Sequence, residues 1–139
     1  MFTKEESKKI RQEFWTTFGQ KHPHKWLLYN TKIKEVILKF TFTTKYALVS
    51  IDISSKDNLT QEYYYDKFLS LKSIIISELK DIVFDNAYEL ENGKIISRIF
   101  IKLPNVSIHN KNSWDETMEF LKDAMLPVSY THLTLPTKA

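Results

Sequence analysis

The residues best suited to chemistry follow the first predicted helix, where lysine and histidine side chains alternate with aromatic rings. Eight positions form this candidate surface: Lys21, His22, His24, Lys25, Trp26, Tyr29, Lys32 and Lys34. Cations neutralise phosphates and release counterions, and aromatic faces stack on unpaired bases. The pattern therefore predicts a surface that binds nucleic acid or a partner protein. The alternative is a solvated basic loop whose Trp26 and Tyr29 fill the core, which the low net charge of +3 favours.

A metal site is the second interpretation of this stretch. His22 and His24 lie at positions i and i+2 on either side of Pro23, which offers too few donors without a third and fourth ligand. The chain has no cysteine, which excludes disulfides, thiolate catalysis and Cys-based zinc sites. Its two glycines leave no room for a glycine-rich phosphate loop. We therefore expect neither a metal nor a cofactor.

A divergent or inactive metal-dependent nuclease is the enzymatic alternative. Such enzymes hold a divalent ion with one acidic residue and a strand-borne acid-x-lysine motif. Asp52 lies at the end of a predicted strand, but Ser54 occupies the position of the lysine. Glu78 and Lys80 have the required spacing on a predicted helix, which is the wrong element. The pattern favours a non-enzymatic module and assigns no catalytic residue.

Three amphipathic helices position these candidates, at about residues 4–18, 58–80 and 113–125. Capping boxes are predicted at the start of the first helix, with Thr3 and Glu6, and of the third, with Ser113 and Glu116. Gly19 is predicted to end the first helix.

Two hairpins lie between the helices, with a period of two in residues 36–42, 46–53 and 94–103 and shorter apolar pieces at 82–84 and 88–90. Asn92 and Gly93 predict the second hairpin turn, since both residues tolerate positive φ. Asp85 and Arg98 are expected to face each other across that hairpin. A further extended piece is expected at 26–29. The order helix, hairpin, helix, hairpin, helix predicts an α+β fold: an antiparallel sheet of about four strands with three helices in a single layer on it.

The 139 residues are enough for a single domain, which we place at 1–126. No run approaches the roughly 18 apolar residues of a membrane helix, so we expect a cytoplasmic protein without membrane contact. Residues 127–139 break the helical pattern, and the stretch VSYTHLTLPT resembles the translation of a transposon-type sequencing-library adapter. We therefore expect a non-native, disordered tail on a domain that is truncated near Leu126, with no functional role for His132.

Several segments carry a family resemblance, namely IRQEFWTTFG, KWLLYNTKIK, FLSLKSII, ENGKIISRIF and VSIHNKNSW. With them the chain resembles the bacterial domain of unknown function 4268 family. The resemblance implies a small α+β module that occurs alone or attached to larger proteins, some of them nuclease-like, and it implies no catalytic residues. We expect an accessory or interaction module of DNA-processing or restriction-type proteins. Its expected partners are nucleic acid, a nuclease or a methyltransferase.

Overall fold

The structure, a computed structural model, describes residues 2–24, 26, 31 and 33–133. The elements in chain order are α1 (Lys4–Lys21), β1 (Val36–Phe42), β2 (Tyr46–Ile53), α2 (Asn58–Leu69), α3 (Lys72–Glu78), β3 (Val83–Glu89), β4 (Ile95–Pro104) and α4 (Trp114–Leu133). A short 3-10 turn, Lys111–Ser113, precedes α4. The extended piece expected at 26–29 lies, apart from Trp26, outside the described residues. No helix in the described part of the chain has both the length and the apolar character needed to cross a bilayer.

The four strands form one antiparallel sheet in the order β1-β2-β4-β3. The two predicted hairpins, β1–β2 and β3–β4, are therefore confirmed, and the pairing of β2 with β4 joins them at the centre of the sheet. The α+β class and the four-stranded antiparallel sheet are confirmed.

The predicted number of three helices is wrong, because the long middle helix divides into α2 and α3. At the junction the hydroxyl of Ser70 donates to the carbonyl of Lys67 at 2.6 Å, and the amide of Leu71 donates to the carbonyl of Phe68 at 2.9 Å. This three-residue spacing tightens the turn and ends the regular helix. The apolar stripe nevertheless continues through the break, since Phe68 and Ile75 are both buried.

Two predicted helix boundaries also need correction. Gly19 does not end α1, which continues to Lys21, although the capping box of Thr3 and Glu6 at its start is formed. At the start of α4, the hydroxyl of Ser113 donates to the carbonyls of Ser107 and Asn110. Ser113 therefore holds the preceding 3-10 turn instead of forming the predicted box with Glu116.

All the described helices bury their apolar side chains against the same face of the sheet. The core cluster contains every buried apolar residue of α1 to α4, together with alternate strand residues such as Leu38, Val49 and Ile99. Aromatic edge contacts tie the layers together, for example between Phe14 and Phe42, whose ring centroids are 4.7 Å apart. This alternation follows directly from the period of two in the strands.

Strand β3 contains a bulge. Asp85 pairs with Arg98 and Tyr88 pairs with Ile96, so two residues of β3 stand opposite Ser97 alone. The predicted pieces 82–84 and 88–90 are thus parts of one strand. In the turn that follows, Gly93 has a φ of +87°, whereas Asn92 does not adopt a positive φ.

Helix α4 continues past the expected end of the domain, through Pro127 to Leu133. Val128 is buried, and the hydroxyl of Thr131 donates to the carbonyl of Pro127 at 2.9 Å. Residues 134–139 and the side chain of His132 lie outside the described part. The adapter origin of the tail stays a prediction.

Candidate functional site

Part of the predicted basic surface does come together. Lys21, His22, His24 and Trp26 line a pocket of about 260 Å³ between the end of α1 and α4. Lys34 is exposed in the turn before β1 and does not line this pocket. Lys25, Tyr29 and Lys32 lie outside the described residues.

The lysines that line this pocket, Lys21 and Lys122, are paired with carboxylates of α4. Lys21 Nζ lies 3.1 Å from Asp115 Oδ1, and Lys122 Nζ lies 3.2 Å from Glu119 Oε2. His22 Nε2 lies 3.8 Å from the other oxygen of that carboxylate, Glu119 Oε1. The ring of Trp26 meets Phe40 edge-on at 5.5 Å and packs against the core. The pocket therefore presents little net positive charge, and its largest ring is engaged with the core.

The opposite face of the sheet presents a different surface, which we call the open face because no described helix packs on it, although its central residues Leu48, Ser50, Ile96 and Arg98 are buried. Its residues follow from the strand registers: Ile37, Lys39 and Thr41 of β1, Tyr46, Leu48, Ser50 and Asp52 of β2, Ile96, Arg98, Phe100 and Lys102 of β4, and Val83, Asp85 and Tyr88 of β3. Leu48 and Ile96 are buried yet belong to no part of the core cluster. Since the buried apolar side chains of the described helices all belong to that cluster, no described helix packs its apolar stripe on the open face.

A buried ion pair organises one end of the open face. Arg98 Nε donates to Asp52 Oδ1 and Arg98 Nη2 donates to Asp52 Oδ2, both at 2.8 Å. Burial by itself lowers the pKa of the guanidinium, but the hydrogen bonds and charge of Asp52 outweigh burial, so the pKa of Arg98 is raised. Asp85 is the register partner of Arg98 on the other side, as predicted, but its Oδ1 accepts from the amide of Ala87.

The bulge in β3 places an aromatic ring beside this pair. Because the bulge shifts the alternation by one residue, Tyr88 shares a face with Arg98. The guanidinium of Arg98 lies 4.5 Å from the ring centroid of Tyr88, and the ring of Phe100 meets Tyr88 edge-on at 5.5 Å. Both rings are partly exposed. The rings of Tyr88 and Phe100 thus form a small aromatic platform, and the guanidinium of Arg98 packs against one side of it.

Two lysines complete the open face. Lys102 lies over the ring of Tyr46, with 4.5 Å between the ammonium nitrogen and the ring centroid. Within the described residues, neither Lys39 nor Lys102 has a carboxylate partner. Their charges therefore remain available to an anionic ligand, unlike that of Lys21.

The geometry around Asp52 gives little support to the nuclease hypothesis. Both oxygens of Asp52 are bound by Arg98, so an ion there would have to displace the guanidinium. In the described ranges no group of three or more histidine, aspartate or glutamate side chains is close enough to hold a metal. Glu78 instead lines an apolar groove between α3 and α4.

The family follows from a sequence comparison. The profile described as "Domain of unknown function (DUF4268)" matches residues 10–129. The chain belongs to the DUF4268 family. The predicted resemblance is thereby confirmed for this DUF4268 domain. No curated protein and no solved structure matches the chain.

The open face was not predicted from the sequence as a candidate site, although its signal was present. The period of two already placed Arg98, Phe100 and Lys102 on one side of β4. What the sequence lacked was the strand order, which places β4 next to β2 and so brings Arg98 beside Asp52.

Proposed function

We propose that this DUF4268 domain is a non-enzymatic module that binds single-stranded nucleic acid on the open face. The observation that carries the proposal is the combination of three partly exposed rings, Tyr46, Tyr88 and Phe100, with two lysines that have no carboxylate partner among the described residues. Aromatic side chains on a sheet stack on bases, and lysines neutralise the phosphates between them.

Single strands fit this surface better than duplexes do. Stacking on a protein ring needs an unpaired base, because the faces of bases in a duplex are covered by their neighbours. The open face is a platform of side chains on strands and offers no helix to enter a major groove. The modest net charge of +3 agrees with a ligand that is held by stacking as well as by charge.

The predicted surface at Lys21 to Lys34 is secondary in this proposal, because Asp115 and Glu119 offset its charge. An accessory role within DNA-processing or restriction-type machinery, beside a nuclease or methyltransferase, is compatible with strand binding. Such machinery exposes single strands that a small module can hold.

The test is the binding of labelled single-stranded oligonucleotides, followed by fluorescence anisotropy over a salt series. Replacing Phe100 with alanine removes a stacking ring, and we expect affinity to fall about 5- to 150-fold, which corresponds to the roughly 1–3 kcal/mol of one stacked base. The double variant Lys39→Ala/Lys102→Ala should reduce the slope of log K against log salt by about 1.4, at roughly 0.7 for each phosphate contact.

The matched control is Lys67→Ala/Lys72→Ala. These lysines also lie over rings, those of Tyr63 and Phe84, but they lie on the helical side of the molecule. The control should bind as the wild type does. Equal losses in both double variants would indicate unspecific attraction, and flat, undetectable binding at low salt would overturn the proposal. Binding that Lys21→Ala weakens more than Phe100→Ala does would move the site to the pocket beside α4.

A further inference from the structure

Ser50 lies at the centre of the open face, and its hydroxyl forms no hydrogen bond with the described residues of the fold. It lies in β2 between Lys39 of β1 and Phe100 of β4, which are its register partners on the two sides. Side chains directly opposite each other on neighbouring antiparallel strands have Cβ atoms about 4.5–5.5 Å apart. The hydroxyl of Ser50 is therefore within reach of anything that contacts Lys39 and Phe100 together.

The hydroxyl of Ser50 is fully buried and has no hydrogen-bond partner in the described part of the chain. Its neighbour on the same face and strand, Leu48, is apolar and equally enclosed. A buried hydroxyl without a partner lowers the stability of the fold, since it has lost its bonds to water. Ser97, a second buried serine of the same sheet, shows the usual arrangement: it bonds to Asn86 and to Gln61. The fold itself thus gives no reason for a hydroxyl at position 50.

We infer that Ser50 is a specificity-determining residue, whose hydroxyl forms a hydrogen bond with the edge of the base that stacks on Phe100. This inference rests on the proposed function and adds the base selectivity of the same site. The side chains that flank Ser50, Lys39 and Phe100, are only partly buried. Rotation of the long Lys39 side chain opens the hydroxyl to the ligand, while the ring of Phe100, which packs against Tyr88, stays in place as the stacking surface.

The chemistry of serine fits this role. A hydroxyl donates one hydrogen bond and accepts up to two, so it can donate to a base carbonyl or ring nitrogen and can accept from an amino group. Lys39 on one side of Ser50 holds the adjacent phosphate, and Phe100 on the other side holds the face of the base. The ligand class is a single strand of DNA or RNA with at least one unpaired base.

The experiment compares Ser50→Ala with the wild type in two measurements: thermal unfolding, and affinity for homopolymeric oligonucleotides of each base. We expect Ser50→Ala to unfold at the same or a higher temperature, because the variant removes an unpaired polar group. We also expect it to lose about tenfold affinity for the preferred base and to bind all bases nearly equally, with an unchanged salt slope. The loss of one hydrogen bond of about 1.4 kcal/mol corresponds to that factor.

Ser97→Ala is the matched control, since it removes a partnered serine from the core side of the same sheet. It should lower the unfolding temperature and keep the base preference. If Ser50→Ala instead lowers stability and keeps the preference, Ser50 is structural and the inference is wrong. An absence of base preference in the wild type would also overturn it. In both cases the loss of affinity in Phe100→Ala still decides the proposed function separately.

Discussion

Asp52 and Arg98 form the one bidentate ion pair among the described residues, and its side chains are 12% and 7% exposed. The free energy lost when two charges are removed from water offsets much of their mutual attraction, so the ion pair by itself is weak evidence of a stable fold. Its geometric effect is clearer. The carboxylate fixes the guanidinium, and the guanidinium lies against the ring of Tyr88. Asp52 of β2 thus holds Arg98 in the position in which it packs against the ring of Tyr88 in β3.

Removing one partner of this pair should be costly. Asp52→Ala leaves a buried guanidinium without its counter-ion, and we expect the free energy of unfolding to fall by about 3–5 kcal/mol. Urea denaturation measures this change. The control is Glu13→Gln, which breaks the exposed pair with Lys111 and should cost less than about 1 kcal/mol. A similar, small loss in both variants would show that water reaches Arg98 in solution.

The sequence placed cations and rings side by side at the predicted surface, but it did not show which carboxylates pair with those cations. Lys21 and Asp115 are 94 residues apart and meet only because α1 and α4 pack side by side. A cation in a sequence window is counted as free, whereas in the fold a distant carboxylate can neutralise it. The ring of Trp26 packs against the core, as in the alternative that the low net charge favoured, a solvated basic loop whose rings fill the core.

At the scale of the elements, the two glycines should respond in opposite directions to alanine. Gly19 lies inside α1, and a Cβ there would meet nothing within 4 Å, so Gly19→Ala should stabilise the protein by about 0.5–1 kcal/mol. Gly93 has a φ of +87°, and Gly93→Ala should destabilise it by about 1–2 kcal/mol. Thermal unfolding of both variants measures the difference. A stabilising Gly93→Ala would mean that the hairpin adopts another turn.

Two buried tyrosines of helix α2, Tyr64 and Tyr65, make the free energy of unfolding sensitive to alkaline pH. Burial raises the pKa of Tyr64 and Tyr65 above the ordinary value of 10.0, and nearby carboxylates add to the effect. Because the folded state favours the neutral phenol, this contribution is complete below pH 10.0 and is lost as pH rises through the folded pKa.

We therefore expect the free energy of unfolding to fall as pH rises above 10.0, and to fall less in Tyr64→Phe/Tyr65→Phe. Urea denaturation at several pH values measures the slope. The exposed Tyr130 provides the control, since Tyr130→Phe should keep the wild-type slope. Identical slopes in all three proteins would show that these two phenols ionise alike in both states.

The elements were predictable where one interaction dominates. Alternating burial in β1 and the stripe that contains Phe68 and Ile75 follow from hydrophobic periodicity alone, whereas β2 is buried without interruption from Ala47 to Ile51. The break at Ser70 and the continuation of α1 through Gly19 were not predictable, because both depend on small differences between competing hydrogen bonds.

At the scale of the whole molecule, the sheet order β1-β2-β4-β3 decides which surface is available. Local turn signals predicted each hairpin, but nothing local specifies that β2 pairs with β4 some fifty residues along the chain. The open face exists only after that pairing. This is the physical reason why the fold class could be predicted from the sequence while the candidate site could not.

Ligand binding should therefore affect the open-face residues of these strands and leave the core-facing residues of the same strands unaffected. On addition of a single-stranded oligonucleotide, we expect the methyl signals of Ile37 and Val83, which lie on the open face and reach solvent, to shift in NMR spectra, while those of Ile51 and Ile99, which point into the core, stay in place. Shifts of equal size on both faces would indicate a global change of conformation. Shifts confined to the core residues would contradict binding on the open face.

The bulge in β3 has a consequence for insertions and deletions. The extra residue in this strand lets Tyr88 stand three positions after Asp85 and still share a face with it, so the exposed Ala87 acts as a spacer. Deletion of Ala87 alone would remove the bulge and leave Tyr88 two positions after Asp85, still opposite Ile96 and on the face of Arg98. Deletion of Asn86 as well would place Tyr88 opposite Ser97 and turn its ring toward the helices, so β3 tolerates the loss of one residue but not of two.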